Sequence, residues 1–360
     1  MTGYTAMDLF CGAGGLTRGV TLAGFRVLGA IEIDPLAAES YRMNFPKVTL
    51  WERDIAKVSV AEVRRTLSLH AGELDLLAGC PPCQGFSRLT TLNGHLDQPD
   101  PRNELVLQFI RFARGLRPKL VMLENVPALA TDERLERLAR ALERIGYQTD
   151  CEIVDASQYG VPQRRRRMLF LASRVGPVSF ARSSPSRATV RQLIGSLSPA
   201  GQSGDPLHDH GEQRAPQVVA MIRRIPKDGG SRRDLPQSEQ LACHLRCDGF
   251  YDIYGRMAWD RVAPTITSGC VNPSKGRFLH PEQDRTITLR EAALLQTFPP
   301  DHRFSLRRGK YAAAEMIGNG LPPELVRRQA LEVVRRLAEP DRRRPTTGRR
   351  RSRSADPVSI

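Results

Sequence analysis

Over the first 173 residues, apolar and polar positions switch between two periods. Short, mostly apolar runs cover Tyr4–Phe10, Arg26–Ile33, Leu74–Ala78, Lys119–Leu123 and Met168–Ala172. Each is closed by glycine, proline or a polar residue and is short, which predicts buried strands. Between them the apolar positions recur every three or four residues. Leu105, Val106, Phe109, Ile110 and Ala113 predict a helix over Leu105–Leu116. Leu135, Leu138, Ala139, Leu142 and Ile145 predict another, from Asp132 to Gly146. A further helix follows Gly12, Gly14 and Gly15 as far as Ala23, and Pro35 suits the first position of the next. Strands alternating with helices predict an α/β fold with a doubly wound, mostly parallel sheet. In such sheets ligands sit at the carboxyl ends of the strands.

The alternation stops near residue 173. Residues 174–255 are rich in Pro, Gly, Ser and Arg and carry little periodicity, which reads as a separate small domain or a long insertion. Helical signal returns at Leu289–Thr297 and Pro323–Ala338. Four units are expected: a main domain over 1–173, the smaller domain over 174–300, a segment over 301–340 returning to the main domain, and a disordered basic tail over 341–360.

Charge changes the picture. The 360 residues carry a net charge of +15, of which the tail supplies +5. The remaining basic body predicts a polyanionic partner, nucleic acid first. No apolar run reaches membrane-spanning length, and Met1–Thr5 opens no secretory signal, so the expected place is the cytoplasm, with no membrane partner. Seven cysteines without an export signal predict reduced thiols. Cys243-His244 and Cys247 lack a second clean pair, so no metal site is expected.

Two stretches carry chemistry. Asp8-Leu9-Phe10-Cys11-Gly12-Ala13-Gly14-Gly15 runs a strand into a glycine loop, where backbone can approach a ligand closely. Glu32 follows 20 residues after Gly12, the spacing of an acid that binds ribose hydroxyls. Thr17 stands where a dinucleotide fingerprint needs glycine, so the loop suits an adenosine-bearing cofactor of another kind. Gly79-Cys80-Pro81-Pro82-Cys83-Gln84 presents a thiol at a strand end on two stiff prolines. A lone cysteine is ordinarily a small buried hydrophobe; this bracket and position favour a nucleophile.

Asp8–Gly15, Pro82-Cys83-Gln84, Glu124-Asn125-Val126, Gln163–Arg167 and Gly318-Asn319-Gly320-Leu321-Pro322 resemble, in order, the motifs of DNA (cytosine-5) methyltransferases of bacterial restriction–modification systems. The resemblance covers most of 1–173 and 256–325. It departs from the usual pattern at Gly320-Leu321, where Ala-Val is commoner, and at Asp54, which follows Arg53 where glycine is frequent.

The resemblance implies a sheet of the S-adenosylmethionine-dependent methyltransferase type and a target-recognition role for 174–300. Cys83, Glu124, Arg165 and Arg167 would be catalytic, with Cys83 adding to cytosine carbon 6, Glu124 meeting ring N3, Arg167 orienting Glu124 and Arg165 holding a phosphate. Phe10, Gly12, Ala13, Gly15, Glu32, Ile33, Asp54, Ile55, Pro82, Leu105 and Asn319 would line the S-adenosylmethionine site. The loop Gln84–Pro101 would close over a flipped base, with Gln84 or Ser87 filling the vacated space, and Arg232 and Arg233 would contact DNA. Double-stranded DNA, a monomeric state and a cognate restriction endonuclease complete the expectation. Three rival readings are a transfer-RNA cytosine methyltransferase, a non-catalytic DNA-binding relative and a nicotinamide oxidoreductase. The insertion after Arg167, the intact Cys83, Glu124, Arg165 and Arg167, and Thr17 argue against them in turn.

Overall fold

The computed structural model describes residues 3–82, 101–241 and 251–339. The chain opens with β1 (Thr5–Leu9), α1 (Gly15–Leu22), β2 (Arg26–Glu32), α2 (Pro35–Asn44), β3 (Thr49–Glu52), α3 (Val60–Thr66) and β4 (Leu76–Gly79). It continues with α4 (Gln108–Leu116), β5 (Leu120–Asn125), α5 (Glu133–Glu143), β6 (Gln148–Asp155) and β7 (Arg166–Ser173). Then come α6 (Val190–Ile194), α7 (Pro216–Arg224), α8 (Leu289–Leu295), α9 (Gly309–Asn319) and α10 (Pro323–Ala338).

The seven strands form one sheet in the order β3-β2-β1-β4-β5-β7-β6. The first five in that order run parallel, while β7 lies antiparallel to both β5 and β6. The chain works outward from β1 in one direction and from β4 in the other. The β1 and β4 carboxyl ends therefore open side by side at the switch point, where crossovers leave a crevice.

Alternation along the strands sends side chains to opposite faces. Met7, Leu9, Leu77, Val121, Leu123, Phe170 and Ala172 meet Phe109, Phe112 and Leu116 of α4 and Leu135 and Leu138 of α5. Ala6, Leu76, Ala78, Leu120, Met122, Leu169 and Leu171 meet Leu16 and Val20 of α1 and Leu325, Val326 and Val333 of α10. The α1–α10 approach is close: a Cβ on Gly19 would lie 2.3 Å from Val326 Cβ. A third cluster gathers Val190, Ile194, Ile266, Phe278, Leu295, Phe298 and Ile317, and Ala13 of the glycine loop joins it. The segment beyond 301 thus divides, α9 packing in the third cluster and α10 on the sheet.

The expected strands and main helices are present. Asp132 caps α5, its carboxylate accepting from Arg134 N–H at 2.9 Å. The expected helix from Leu105 is α-helical from Gln108 only; Pro101–Leu107 is a 3-10 turn. Strands β3 and β6 were not expected. β6 is an edge strand whose residues are mostly exposed and polar, so it lacks the apolar run by which a strand is read. Among the described residues no helix is long and apolar enough to cross a membrane, and no cluster of His, Cys, Asp and Glu could hold a metal. Cys243, His244 and Cys247 lie outside the described residues.

Candidate active site

The glycine loop leaves β1 through left-handed backbone at Phe10 (φ 64°), Gly12 (φ 54°) and Gly14 (φ 97°). Glu32, at the end of the neighbouring β2, ties this loop down. Its Oε2 accepts from Gly12 N–H at 2.8 Å, and its Oε1 accepts from Ile33 N–H at 2.9 Å and Asp34 N–H at 2.8 Å. Burial pushes the Glu32 carboxyl above its ordinary value, and the three backbone donors oppose that rise. Ile33, directly beyond, is 65% exposed.

The remaining cofactor candidates divide. Phe10 stacks obliquely on Phe109 with ring centroids 6.3 Å apart. Ala13 is buried, Leu105 and Pro82 are half-buried, and Asn319 is exposed at the end of α9. Asp54 caps a 3-10 turn by accepting from Ala56 N–H, while Ile55 is buried in the core with Trp51 and Val58. Gly15 meets the last motif directly, since a Cβ there would lie 2.4 Å from the Leu321 carbonyl oxygen and 3.2 Å from the Phe298 ring.

Glu124 and Asn125 end β5, beside the turn that leaves β4. Asn125 Nδ2 donates to the Pro81 carbonyl at 3.0 Å, and its Oδ1 accepts from Val126 N–H. This clamps the two-proline turn against Glu124. Arg167 enters from antiparallel β7, its Nε 2.8 Å from Glu124 Oε1. That oxygen is buried and has no aligned hydrogen-bond donor among the described residues. Burial first, and then Glu124, hold the Cys80 thiol well above its ordinary pKa, which disfavours a thiolate there.

Side chains alternate along the Arg164–Arg167 run: Arg165 is buried and Arg164 and Arg166 are exposed. The Arg165 guanidinium does not face a free site. It donates to the carbonyls of Ile266, Gly318 and Gly320 at 3.0, 3.1 and 3.2 Å, tying the β7 entry to the last motif. A phosphate would have to displace these carbonyls. Gln163 and Gln296, bonded to each other at 2.7 Å, extend the same buried tie to Leu295, Ile266 and Ile317.

The expected DNA contacts also divide. Arg232 is buried, and among the described residues it donates one long bond, to Gln240 Oε1 at 3.4 Å. Arg232 opens the 3-10 turn that the reciprocal Ser231–Asp234 capping box closes. Arg233 is exposed and lies 3.8 Å from the ring centre of Tyr251, itself 60% exposed. Cys83, Gln84 and Ser87 lie outside the described residues, as do the rest of the loop through residue 100 and the tail.

One buried group beside the site was not anticipated. Asp8 accepts from Thr17 Oγ1 at 2.7 Å, and Thr17 in turn lies 2.9 Å from the Tyr41 hydroxyl. Its other oxygen has no partner among the described residues. Burial pushes the Asp8 carboxyl up to about 7, and nearby Glu32 adds to the rise. Its only sequence signal is a carboxylate in an otherwise apolar strand.

The model of the C-5 cytosine-specific DNA methylase family matches residues 4–335, and the chain belongs to that family. It is 35% identical to the Type II methylase M.HgiDII of Herpetosiphon aurantiacus, over 92% of this chain and 95% of that one. It is 33% identical to the Type II methyltransferase M1.HphI of Haemophilus parahaemolyticus, over 92% and 87%. Its fold is shared with a protein described as a prophage-encoded DNA modification methyltransferase of E. coli, at a TM-score of 0.68 and 24% identity, over 93% of this chain and 100% of that one.

Proposed function

We propose that the chain methylates carbon 5 of a cytosine flipped out of a specific double-stranded DNA sequence, with S-adenosylmethionine as donor. The observation that carries this reading is one constellation at a single sheet edge. Arg167 is paired with Glu124, Asn125 grips the proline turn that leads to Cys83, and Glu32 anchors the glycine loop alongside. Family membership supports it. The Type II methylases among its relatives support a place in a restriction–modification system, beside an endonuclease that reads the same site. We infer a monomer working in the cytoplasm.

The residues present fit the donor. Glu32 spends three acceptor positions on backbone, and a carboxylate offers about four, so a ribose hydroxyl can still be bound. Among the described residues a Cβ at Gly12 would meet nothing within 4 Å, so the loop leaves room there. Exposed Ile33 beside the acid suits the apolar face of adenine. Bound S-adenosylmethionine supplies an electrophilic methyl group.

Carbon 5 of cytosine is a weak nucleophile, and a thiolate adding to carbon 6 turns the ring into an enamine. Cys83 gives that electron pair. Glu124 holds a proton at ring N3 and accepts from the exocyclic amine; positioned proton transfer of this kind is worth about 10²- to 10⁴-fold. Arg167 fixes the carboxylate with a planar, permanently charged group. Carbon 5 of the enamine takes the donor's methyl group; its proton then passes to solvent, and elimination of the Cys83 thiolate restores the aromatic ring. A base in a duplex hides both carbons, so it must leave the stack, at a cost of a few kcal/mol. We assign Gln84 or Ser87 to the vacated space and Arg233 to the DNA backbone.

The test is labelled methyl transfer to duplex DNA and to transfer RNA, with bisulfite sequencing of the DNA product. Wild type should label duplex DNA at one sequence, and Cys83→Ser should not turn over. Undiminished transfer by Cys83→Ser, or labelling of transfer RNA alone, overturns the reading.

A further inference from the structure

His302 is fully buried, far in sequence from the glycine loop, yet its Nε2 lies 3.0 Å from the Ala13 carbonyl oxygen. A carbonyl only accepts, so Nε2 carries the proton and Nδ1 is bare. Nδ1 is also buried and has no partner among the described residues. The ring sits among Phe298, Phe304 and Phe45, with centroids 4.6, 4.9 and 6.1 Å away. Two of these rings press on the loop from beneath: a Cβ on Gly14 would meet Phe45 at 2.2 Å, and one on Gly15 would meet Phe298 at 3.2 Å. Arg290 holds the His302 backbone by donating to its carbonyl at 2.9 Å.

A phenylalanine would fill such an aromatic nest without orphaning a nitrogen, so packing alone does not account for a histidine here. The group that gains from the imidazole is Ala13, whose carbonyl would otherwise lose its buried donor. We propose that His302 is a positioning residue for the methyl-donor site, holding the glycine loop in its binding conformation through the Ala13 carbonyl. The inference rests on the donor site assigned above. The loop is then pinned at adjacent residues from opposite ends of the chain, Gly12 N–H by Glu32 and Ala13 C=O by His302. Holding a binding loop in its bound shape strengthens binding by removing an ordering cost. Burial pulls the His302 pKa down to about 3, so the imidazole stays neutral and the contact does not titrate near neutrality.

The experiment is calorimetry of the full chain with S-adenosylhomocysteine, for wild type, His302→Phe and His302→Gln. Phenylalanine keeps the ring but cannot donate; glutamine places an amide N–H near Nε2. His302→Phe should bind about tenfold more weakly, the weight of one net hydrogen bond, and His302→Gln should recover most of that loss. Melting temperature and duplex affinity should match wild type, and in turnover the loss should appear in KM for the donor rather than in kcat. Equal affinity of His302→Phe and wild type overturns the inference. So does a Gln variant no better than Phe, or a parallel fall in melting temperature and duplex affinity, which marks a merely structural role. Failure of wild type to bind S-adenosylhomocysteine defeats the donor site itself, and the inference with it.

Discussion

Gly15 and Leu321 are in backbone contact: a Cβ on Gly15 would stand 2.4 Å from the Leu321 carbonyl oxygen. The glycine loop and the last motif are thus parts of one structure, although most of the chain separates them. Gly15→Ala should force the Leu321 segment away, because a backbone atom has no rotamer by which to escape. The cost should be about 1–3 kcal/mol of stability, as for other overpacked sites. Donor affinity should fall with it, since the Phe298 ring under the loop lies at the same point. Thermal unfolding and calorimetry with S-adenosylhomocysteine check both; a variant unchanged in both would contradict the contact.

Glu124 and Arg167 make a double prediction. Glu124→Gln should lower kcat by about 10²- to 10⁴-fold while duplex binding persists. Arg167→Leu should also destabilise the chain, by about 3–5 kcal/mol, because it leaves a buried carboxylate unpaired. Combining the two should restore stability without restoring turnover. Urea unfolding with single-turnover kinetics separates these effects, and additive stability losses in the double variant would rule out the pairing.

Asp8 makes stability depend on pH. Its folded carboxyl titrates at about 7, against an ordinary value of 3.8. At pH below 3.8 both folded and unfolded chains hold the proton. As pH rises from there toward 7, the unfolded chain releases it and the folded chain keeps it, so stability falls across that window and levels off above it. The raised Glu32 carboxyl acts in the same direction. Asp8→Asn removes the titration and lets Thr17 donate to the amide oxygen. The variant should therefore gain on wild type, by on the order of 2 kcal/mol, between about pH 5 and about pH 8. Urea melts at both values are the check; a constant gap excludes Asp8 as the source.

Strand ends were legible because a buried parallel strand is a short apolar run stopped by a polar or glycine residue. That placed the glycine loop, Glu32, the Cys80–Cys83 turn and Glu124 at one edge. β6 was illegible, being an exposed edge strand paired on one side only. The burial of Arg232 was illegible too, because nothing local distinguishes it from the exposed Arg233 beside it. Arg165 looked like a phosphate ligand, but its donors go to carbonyls supplied by residues 266, 318 and 320.

The sequence by itself determined the α/β class, the order of the motifs and the kinds of side chain at each strand end. Those properties are local: they follow from periodicity, backbone stiffness and the chemistry of single residues. Tertiary structure alone decided which carbonyls Arg165 serves, and that His302 and Leu321 brace the glycine loop from the far end of the chain. A hydrogen bond or a close backbone approach between distant residues leaves no periodic trace, because it depends on where two surfaces come to rest after the core has packed.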